Sequence, residues 1–367
     1  MSVSQKILDN ISAPGCGKII SPLQLRTMYP PGREAERLIV RSREAVSRII
    51  QKKDPRLLVI AGPCSIHDPK AAQEYACRLK ELHEKYKDNL FILMRTYFEK
   101  PRTSLGWKGY INDPDLNNSF EIEKGLCRAR ELLLFMADLE LPCATEALDP
   151  VIPQYLGDLV SWVAIGARTT ESQVHREMAS DLPMPVGFKN GTDGNVQIAA
   201  NAMKSAANSH RFLKIGEDGY ITVARSAGNA DTHLILRGGK QPNYGGDCVY
   251  EADRTLADIG VNRSIVVDCS HGNARGDHKR QLHVAGEIGL QIREGSRSVV
   301  GIMLESHLNE GRQSMDHAQD GGLKYGVSIT DPCIGWGDTH TAIHSLSRDI
   351  SVAIDSRFSP KSLAEVV

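Results

Sequence analysis

The sequence predicts an α/β protein: a (β/α)8 TIM barrel with an N-terminal extension and an inserted β-hairpin. Two observations carry this expectation. Eight short apolar runs recur along the chain with helical patterns between them, and most of the runs close on Arg, Lys, Cys, His or Glu. Parallel strands buried on both faces read as continuous apolar runs, and barrel enzymes carry their reactive groups at the C-terminal ends of such strands. The length of 367 residues suits one large core plus an appendage.

In chain order the expected strands are Leu57–Gly62, Leu90–Tyr97, Pro142–Leu148, Trp162–Ala167, Pro185–Gly191, His233–Gly239, Ser264–His271 and Val299–Ser306. Helical periodicity fills the intervals at Pro69–Tyr86, Gly125–Leu139, Gln154–Ser161, Asn195–Ala207 and Asp277–Arg293. Strand and helix in alternation imply parallel strands joined by crossover helices, and eight such units close most simply into a barrel. Two stretches exceed a bare barrel: the first 56 residues, and Phe212–Ala227, where two apolar runs flank Gly216-Glu217-Asp218-Gly219 as in a hairpin. The expected organisation is an assembly or regulatory extension at 1–56, a catalytic barrel at 57–356 with its hairpin at 212–227, and a tail at 357–367.

Composition narrows the partners. With 41% hydrophobic and 24% charged residues the chain is globular, and a net charge of -1 supplies no global field for nucleic acid or an anionic membrane. No apolar stretch approaches the roughly 20 residues of a membrane span, and the N-terminus lacks the basic-then-apolar order of a signal peptide, so a cytoplasmic location is expected. The eight cysteines are scattered without paired CxxC spacing, which favours free thiols over a disulfide framework.

Cys64, His271 and Glu305 close the first, seventh and eighth runs, and Asp331 follows in Ser328-Ile329-Thr330-Asp331. A packed Cys or a hydrogen-bonded His is the ordinary explanation for any one of them. Four converging on one barrel mouth favour a metal site. Thiolate, imidazole and carboxylates suit one divalent transition ion such as Mn, Fe, Co or Zn. Cations gather at the same ends: Arg95, Lys100, Arg102, Arg168, Lys189 and Arg237. Guanidinium forks and lysine point charges at that density imply substrates carrying about three anionic groups. Gly191-Thr192-Asp193-Gly194 and Arg237-Gly238-Gly239-Lys240 permit close backbone approach. A Schiff-base aldolase using Lys100 or Lys189 is the competing chemistry, although it has no use for the metal-ligand quartet. A non-catalytic effector-binding barrel is the competing class.

Several motifs together resemble the 3-deoxy-D-arabino-heptulosonate 7-phosphate (DAHP) synthases of the bacterial and fungal aromatic-biosynthesis type. They are Gly62-Pro63-Cys64-Ser65-Ile66-His67, Arg95 through Thr103, Gly106-Trp107-Lys108-Gly109, Ala164 through Ser172, Pro185 through Gly194, Ile235 through Lys240 and Ser328 through Asp331. The resemblance, close to full length, implies condensation of phosphoenolpyruvate with erythrose 4-phosphate and release of phosphate, at the start of the shikimate pathway. It implies that Cys64, His271, Glu305 and Asp331 hold the metal. Arg95, Lys100, Arg168, Lys189 and Arg237 would grip phosphoenolpyruvate, with backbone at Gly166 and Ala167. Pro101, Arg102, Thr103 and Ser104 would receive erythrose 4-phosphate. Lys100 and Glu146, with Asp331 and His271, are the catalytic candidates, the proton carrier being either Lys100 or Glu146. A sister synthase using arabinose 5-phosphate is the near alternative, disfavoured by Lys100-Pro101-Arg102-Thr103 and by the long extension.

Relatives of this type are homotetramers inhibited by one aromatic amino acid, bound among the N-terminal segment, the hairpin and nearby barrel helices. The resemblance therefore implies a dimer or a dimer-of-dimers tetramer and an aromatic amino acid effector. Thr145 through Pro150 and Pro153 through Gly157 look most like the tyrosine-inhibited subgroup. Pro153, Gln154, Met178, Leu182, Phe212 and Lys214 are the candidate effector contacts. Asp181-Leu182-Pro183 stands where relatives usually carry Gly-Leu-Ser, and Lys214 where a small residue is common, so altered or lost feedback is expected.

Overall fold

The computed structural model describes residues 17–316, 318 and 322–358. Eight parallel strands close into a barrel: β1 Leu57–Gly62, β2 Leu90–Arg95, β3 Cys143–Glu146, β4 Trp162–Ile165, β5 Val186–Lys189, β8 Thr232–Leu236, β9 Ile265–Asp268 and β10 Val299–Glu305, with β1 pairing both β2 and β10. The hairpin, β6 Arg211–Ile215 and β7 Ile221–Arg225, forms a separate antiparallel sheet between β5 and β8. The N-terminal extension is described from residue 17 and the C-terminal tail to residue 358; the expected assignments at 1–16 and 359–367 lie outside the described residues.

Alternation sorts each strand between two cores. Leu58 and Ile60 join Trp162, Ile235 and Met303 in the barrel interior, while Leu57, Val59 and Ala61 face the surrounding helices. The helices are α1 Pro22–Met28, α2 Arg33–Ile50, α3 Pro69–Lys85, α4 Ile122–Asp138, α5 Ile152–Leu156, α6 Gln173–Asp181, α7 Val196–Ala206, α8 Gly246–Ile259, α9 His271–Ala274, α10 Arg280–Arg293 and α11 Trp336–Ala353. Ser21 and Gln24 cap α1 reciprocally, each side chain bonding the other's backbone N–H. The amphipathic α2 sends Val46, Ile49 and Ile50 into the cluster that fills the barrel, and so plugs the end opposite the strand C-termini.

Expected strand starts lie within a residue of those observed, but the expected ends run long. Thr96-Tyr97, Ala147-Leu148, Gly166-Ala167 and Asn190-Gly191 have already left the ladder for the mouth loops. The expected helix over Gln154–Ser161 is instead α5 followed by a 3-10 turn at Gly157–Leu159. Pro153 sets the start of α5 near Ile152. Among the described residues no helix is long and apolar enough to cross a membrane.

Candidate active site

Parallel register brings the metal candidates together. Gly62 pairs with Glu305 across the β1–β10 ladder, so the loop after β1 carries Cys64 beside the Glu305 carboxylate. Asp331 arrives from the long loop after β10, its Oδ2 3.3 Å from Cys64 Sγ and its backbone N–H donating to the same sulfur at 3.3 Å. Ligand atoms of Cys64, Glu305 and Asp331 all lie within 4.8 Å of one another. Gln281, on α10, grips the Glu305 backbone at both N–H and C=O (2.8 and 2.9 Å).

His271 stands at the edge of this cluster, its Nε2 3.8 Å from Glu305 Oε1. Its backbone occupies the left-handed region, φ 53, at the start of α9, a conformation that costs a non-glycine residue roughly 1–3 kcal/mol unless its surroundings enforce it. The enforcement comes from Asp268 Oδ2 at 2.9 Å and Ser270 Oγ at 2.7 Å, both on His271 Nδ1. An acid partner on Nδ1 places the ring proton there and leaves Nε2 free to ligate.

Electrostatics fit a cation in this place. Burial and then the Glu305 carboxylate push the Cys64 thiol up to about 12, outweighing the opposing pull of Lys100 and Arg95. Burial acts to lower the Lys100 amine, yet Cys64, Glu305 and Asp331 together raise it above its ordinary value. Burial works against the charge of Asp331 as well, but Lys100 and His271 hold its carboxyl well below the usual range. A thiol and two carboxylates within 4.8 Å of one another, with the His271 imidazole at their edge, could hold a metal ion.

The cations converge on a cavity of about 540 Å3 at the strand C-termini, lined by Arg95, Lys100, Arg102, Arg168, Lys189 and Arg237. Pro101, Glu146, Gly166, Ala167, His271, Glu305 and Asp331 also line it, while Cys64 lies buried beneath. Arg95, fully buried, donates to Pro63 O, Cys64 O and Glu305 Oε1 at 3.0, 3.2 and 3.0 Å and stacks over Tyr97 at 3.6 Å. Lys189 is ion-paired with Asp268 at 3.1 Å. Glu146 Oε1 is buried without a hydrogen-bond partner among the described residues, directly over Gly166. A Cβ at Gly166 would sit 2.4 Å from that oxygen, so a larger residue there would displace the Glu146 carboxylate.

Two expected sugar-phosphate residues lie off the cavity lining. Thr103 accepts from Arg168 Nε at 3.1 Å, and Ser104 is exposed in the same loop. The Schiff-base alternative finds no free amine: Lys100 Nζ donates to Cys64 Sγ at 2.9 Å and pairs with Asp331 at 3.5 Å, and Lys189 is held by Asp268.

Three groups at the site carry no assignment from the sequence. Asp268 stands within the run that ends at His271, but its bond to Lys189 on β5, two strands away around the barrel, is a tertiary fact. Gln281 sits on a helix, where strand ends give no signal. Arg312, which lines the cavity, lies well past Glu305 in the loop after β10.

A second cavity, about 230 Å3, opens between the hairpin and α6. Gln154, Met178, Leu182, Phe212 and Lys214 line it, whereas Pro153 lines a smaller apolar cavity with Leu182, Glu99 and Glu146. Within the larger one Lys214 Nζ lies 2.5 Å from Asp181 Oδ2. Glu99, buried beside the smaller, has its carboxyl pushed up to about 8 by burial and then by Asp149.

Comparisons with known proteins agree with this geometry. The model of the DAHP synthetase I family matches residues 35–344. The phospho-2-dehydro-3-deoxyheptonate aldolase, Tyr-sensitive, of Escherichia coli (strain K12) is 50% identical over 95% of this chain and 98% of its own length. The Trp-sensitive enzyme of the same strain is 50% identical over 93% of this chain and 96% of its own. Among solved structures, the phospho-2-dehydro-3-deoxyheptonate aldolase from Francisella tularensis SCHU S4 superposes with a TM-score of 0.90 at 43% identity, covering 93% of this chain and 99% of that one.

Proposed function

The chain belongs to the DAHP synthetase I family, and from that premise we propose how its barrel mouth condenses phosphoenolpyruvate with D-erythrose 4-phosphate to give 3-deoxy-D-arabino-heptulosonate 7-phosphate and phosphate, the first step of the shikimate pathway. The family is metal-dependent. In this reading Cys64, His271, Glu305 and Asp331 hold one divalent ion, Mn, Fe, Co or Zn. When bound, the ion supplies Lewis acidity at the aldehyde oxygen of the sugar phosphate. The observation that carries the reading is the joining of this ligand cluster and the cation-lined cavity at one barrel mouth.

Arg95, Lys100, Arg168, Lys189 and Arg237, with backbone at Gly166 and Ala167, hold phosphoenolpyruvate. Pro101 and Arg102, with Thr103 and Ser104 in the same loop, receive erythrose 4-phosphate. Fixed charges hold two mutually repelling anions side by side, which is where most of the rate enhancement arises. As the new carbon–carbon bond forms, water adds at the adjacent carbon, Glu146 Oε1, buried without a partner among the described residues, takes its proton, and the resulting hemiketal phosphate expels inorganic phosphate by cleavage of its C–O bond, leaving the ketone. Lys100 Nζ, between Cys64 and Asp331, gives a proton to the former aldehyde oxygen, which becomes the product hydroxyl.

An aromatic amino acid, tyrosine before the others, is the expected effector in the cavity between the hairpin and α6. The Lys214–Asp181 pair stands in that cavity and alters or removes the response. A homo-oligomer, dimer or tetramer, in the cytoplasm completes the reading; Leu213, Tyr220 and Val223 on the hairpin are exposed apolar surface that assembly would cover. The test is phosphoenolpyruvate consumption after metal stripping and Mn(II) re-addition. Consumption that requires both metal and erythrose 4-phosphate is expected. Equal consumption without metal, or with arabinose 5-phosphate alone, would overturn the reading.

A further inference from the structure

The cations at the mouth fall into two classes. Arg95, Lys100 and Lys189 are buried, and each is ion-paired with an acid of the site, Glu305, Asp331 and Asp268 respectively. Arg102, Arg168, Arg237 and Arg312 line the same cavity with no carboxylate partner among the described residues. These four guanidiniums hold the charge that is free to meet a ligand.

Barrel order distributes them in pairs. The strands run β1-β10-β9-β8-β5-β4-β3-β2 around the circle. Arg168 follows β4 and Arg237 follows β8, on either side of β5 and its Lys189. Arg102 follows β2 and Arg312 follows β10, on either side of β1 and its Cys64. One pair therefore belongs to the phosphoenolpyruvate side of the mouth and the other to the metal side.

Arg312 is also held in place. Gly311 exchanges backbone hydrogen bonds with Cys333 at 2.8 and 3.1 Å, and Gln313 N–H donates to Ser328 O at 2.8 Å. The backbone on both sides of Arg312 is thereby clipped to the segment that carries Asp331. The nearby acid of its loop, Glu310, is engaged by Lys279 at 3.1 Å. What remains is an exposed guanidinium on a fixed backbone, whose planar fork matches an oxyanion in a bidentate way.

We propose that Arg312 is a second arm of the sugar-phosphate subsite, gripping with Arg102 the phosphate of the four-carbon aldose phosphate whose aldehyde faces the Cys64 side. This rests on the placement of erythrose 4-phosphate at Arg102 given above. A phosphate held between the two loops flanking β1 fixes the distance from phosphate to aldehyde, and so selects for chain length.

Steady-state kinetics of the Mn-loaded full-length enzyme test the assignment, with each substrate varied in turn for R312A, R312Q, R312K and, as reference, R102A. Loss of one charge-assisted contact should raise KM for erythrose 4-phosphate about tenfold to a hundredfold in R312A and R312Q while KM for phosphoenolpyruvate stays within about twofold. R312K, which keeps the charge without the fork, should fall between them and the parent enzyme. An unchanged KM for erythrose 4-phosphate in R312A beside a raised one in R102A would overturn the role of Arg312 and leave the subsite reading standing. An unchanged value in both would sink the subsite placement itself. A rise confined to phosphoenolpyruvate would assign Arg312 to the other substrate and also overturn the proposal.

Discussion

Asp268 is the residue at which charge, strain and metal chemistry meet, and Asp268→Asn isolates its charge while preserving its shape. The carboxylate is fully buried: Oδ1 accepts from the Ser270 N–H and hydroxyl at 3.0 and 2.7 Å, and Oδ2 receives Lys189 at 3.1 Å and His271 Nδ1 at 2.9 Å. Burial opposes its ionisation, yet His271 and Lys189 hold it well below the usual carboxylate range. An asparagine strands the buried Lys189 ammonium without a counter-charge, a loss of about 3–5 kcal/mol. Over 367 residues the unfolding entropy is of order 0.8 kcal/mol per degree, so Tm should fall by roughly 4–6 °C. His271, in its left-handed backbone, loses the acid that fixes its tautomer, and metal affinity should weaken about 10- to 100-fold. Calorimetric Mn(II) titration of the stripped enzyme measures the second effect, and a thermal melt without metal or substrate measures the first. Metal affinity within twofold of the parent would refute the orienting role, and an unchanged Tm would refute the uncompensated charge.

Glu99 makes stability depend on pH. Its carboxyl, at about 8 in the folded chain against 4.5 ordinarily, keeps its proton where the unfolded chain has released it. Its contribution is therefore complete below pH 4.5 and is lost as pH rises through 8. Asp149 and Glu146 are the acids that add to this shift, so Glu99→Gln should gain Tm relative to the parent between pH 5 and pH 8, and a difference that stays flat across that range would refute the buried neutral acid. At the hairpin cavity, Lys214→Ser removes the ion pair with Asp181 and should strengthen inhibition by tyrosine, read as a lower half-inhibitory concentration in the phosphoenolpyruvate assay; strong tyrosine inhibition of the parent enzyme would instead remove the reason to invoke the pair.

The barrel was legible because burial on both faces leaves uninterrupted apolar runs such as Leu57 through Ala61 and Val299 through Leu304, each closing on the groups that reach the mouth. The strand ends were less legible, since Ala147, Gly166 and Ala167 look like strand yet already belong to the loops, where Gly166 makes room for the Glu146 carboxylate. Cys64, His271 and Glu305 could be read because each stands at or just beyond a run, whereas Asp331 could be read from its Ser328-Ile329-Thr330-Asp331 motif. The groups that orient and complement them obey no such rule. Asp268 matters through Lys189, 79 residues away in sequence, and Gln281 through the backbone of Glu305, 24 residues on. Arg312 becomes meaningful only when Gly311 and Cys333 fold its loop back over the mouth. A sequence thus exposes the residues that reach the reaction along a strand, while those that fix their protonation, tautomer and aim arrive from other strands, helices and loops. That division explains why altering Asp268 or Arg312, neither of them one of the proposed metal ligands, is the sharper test of how this site works.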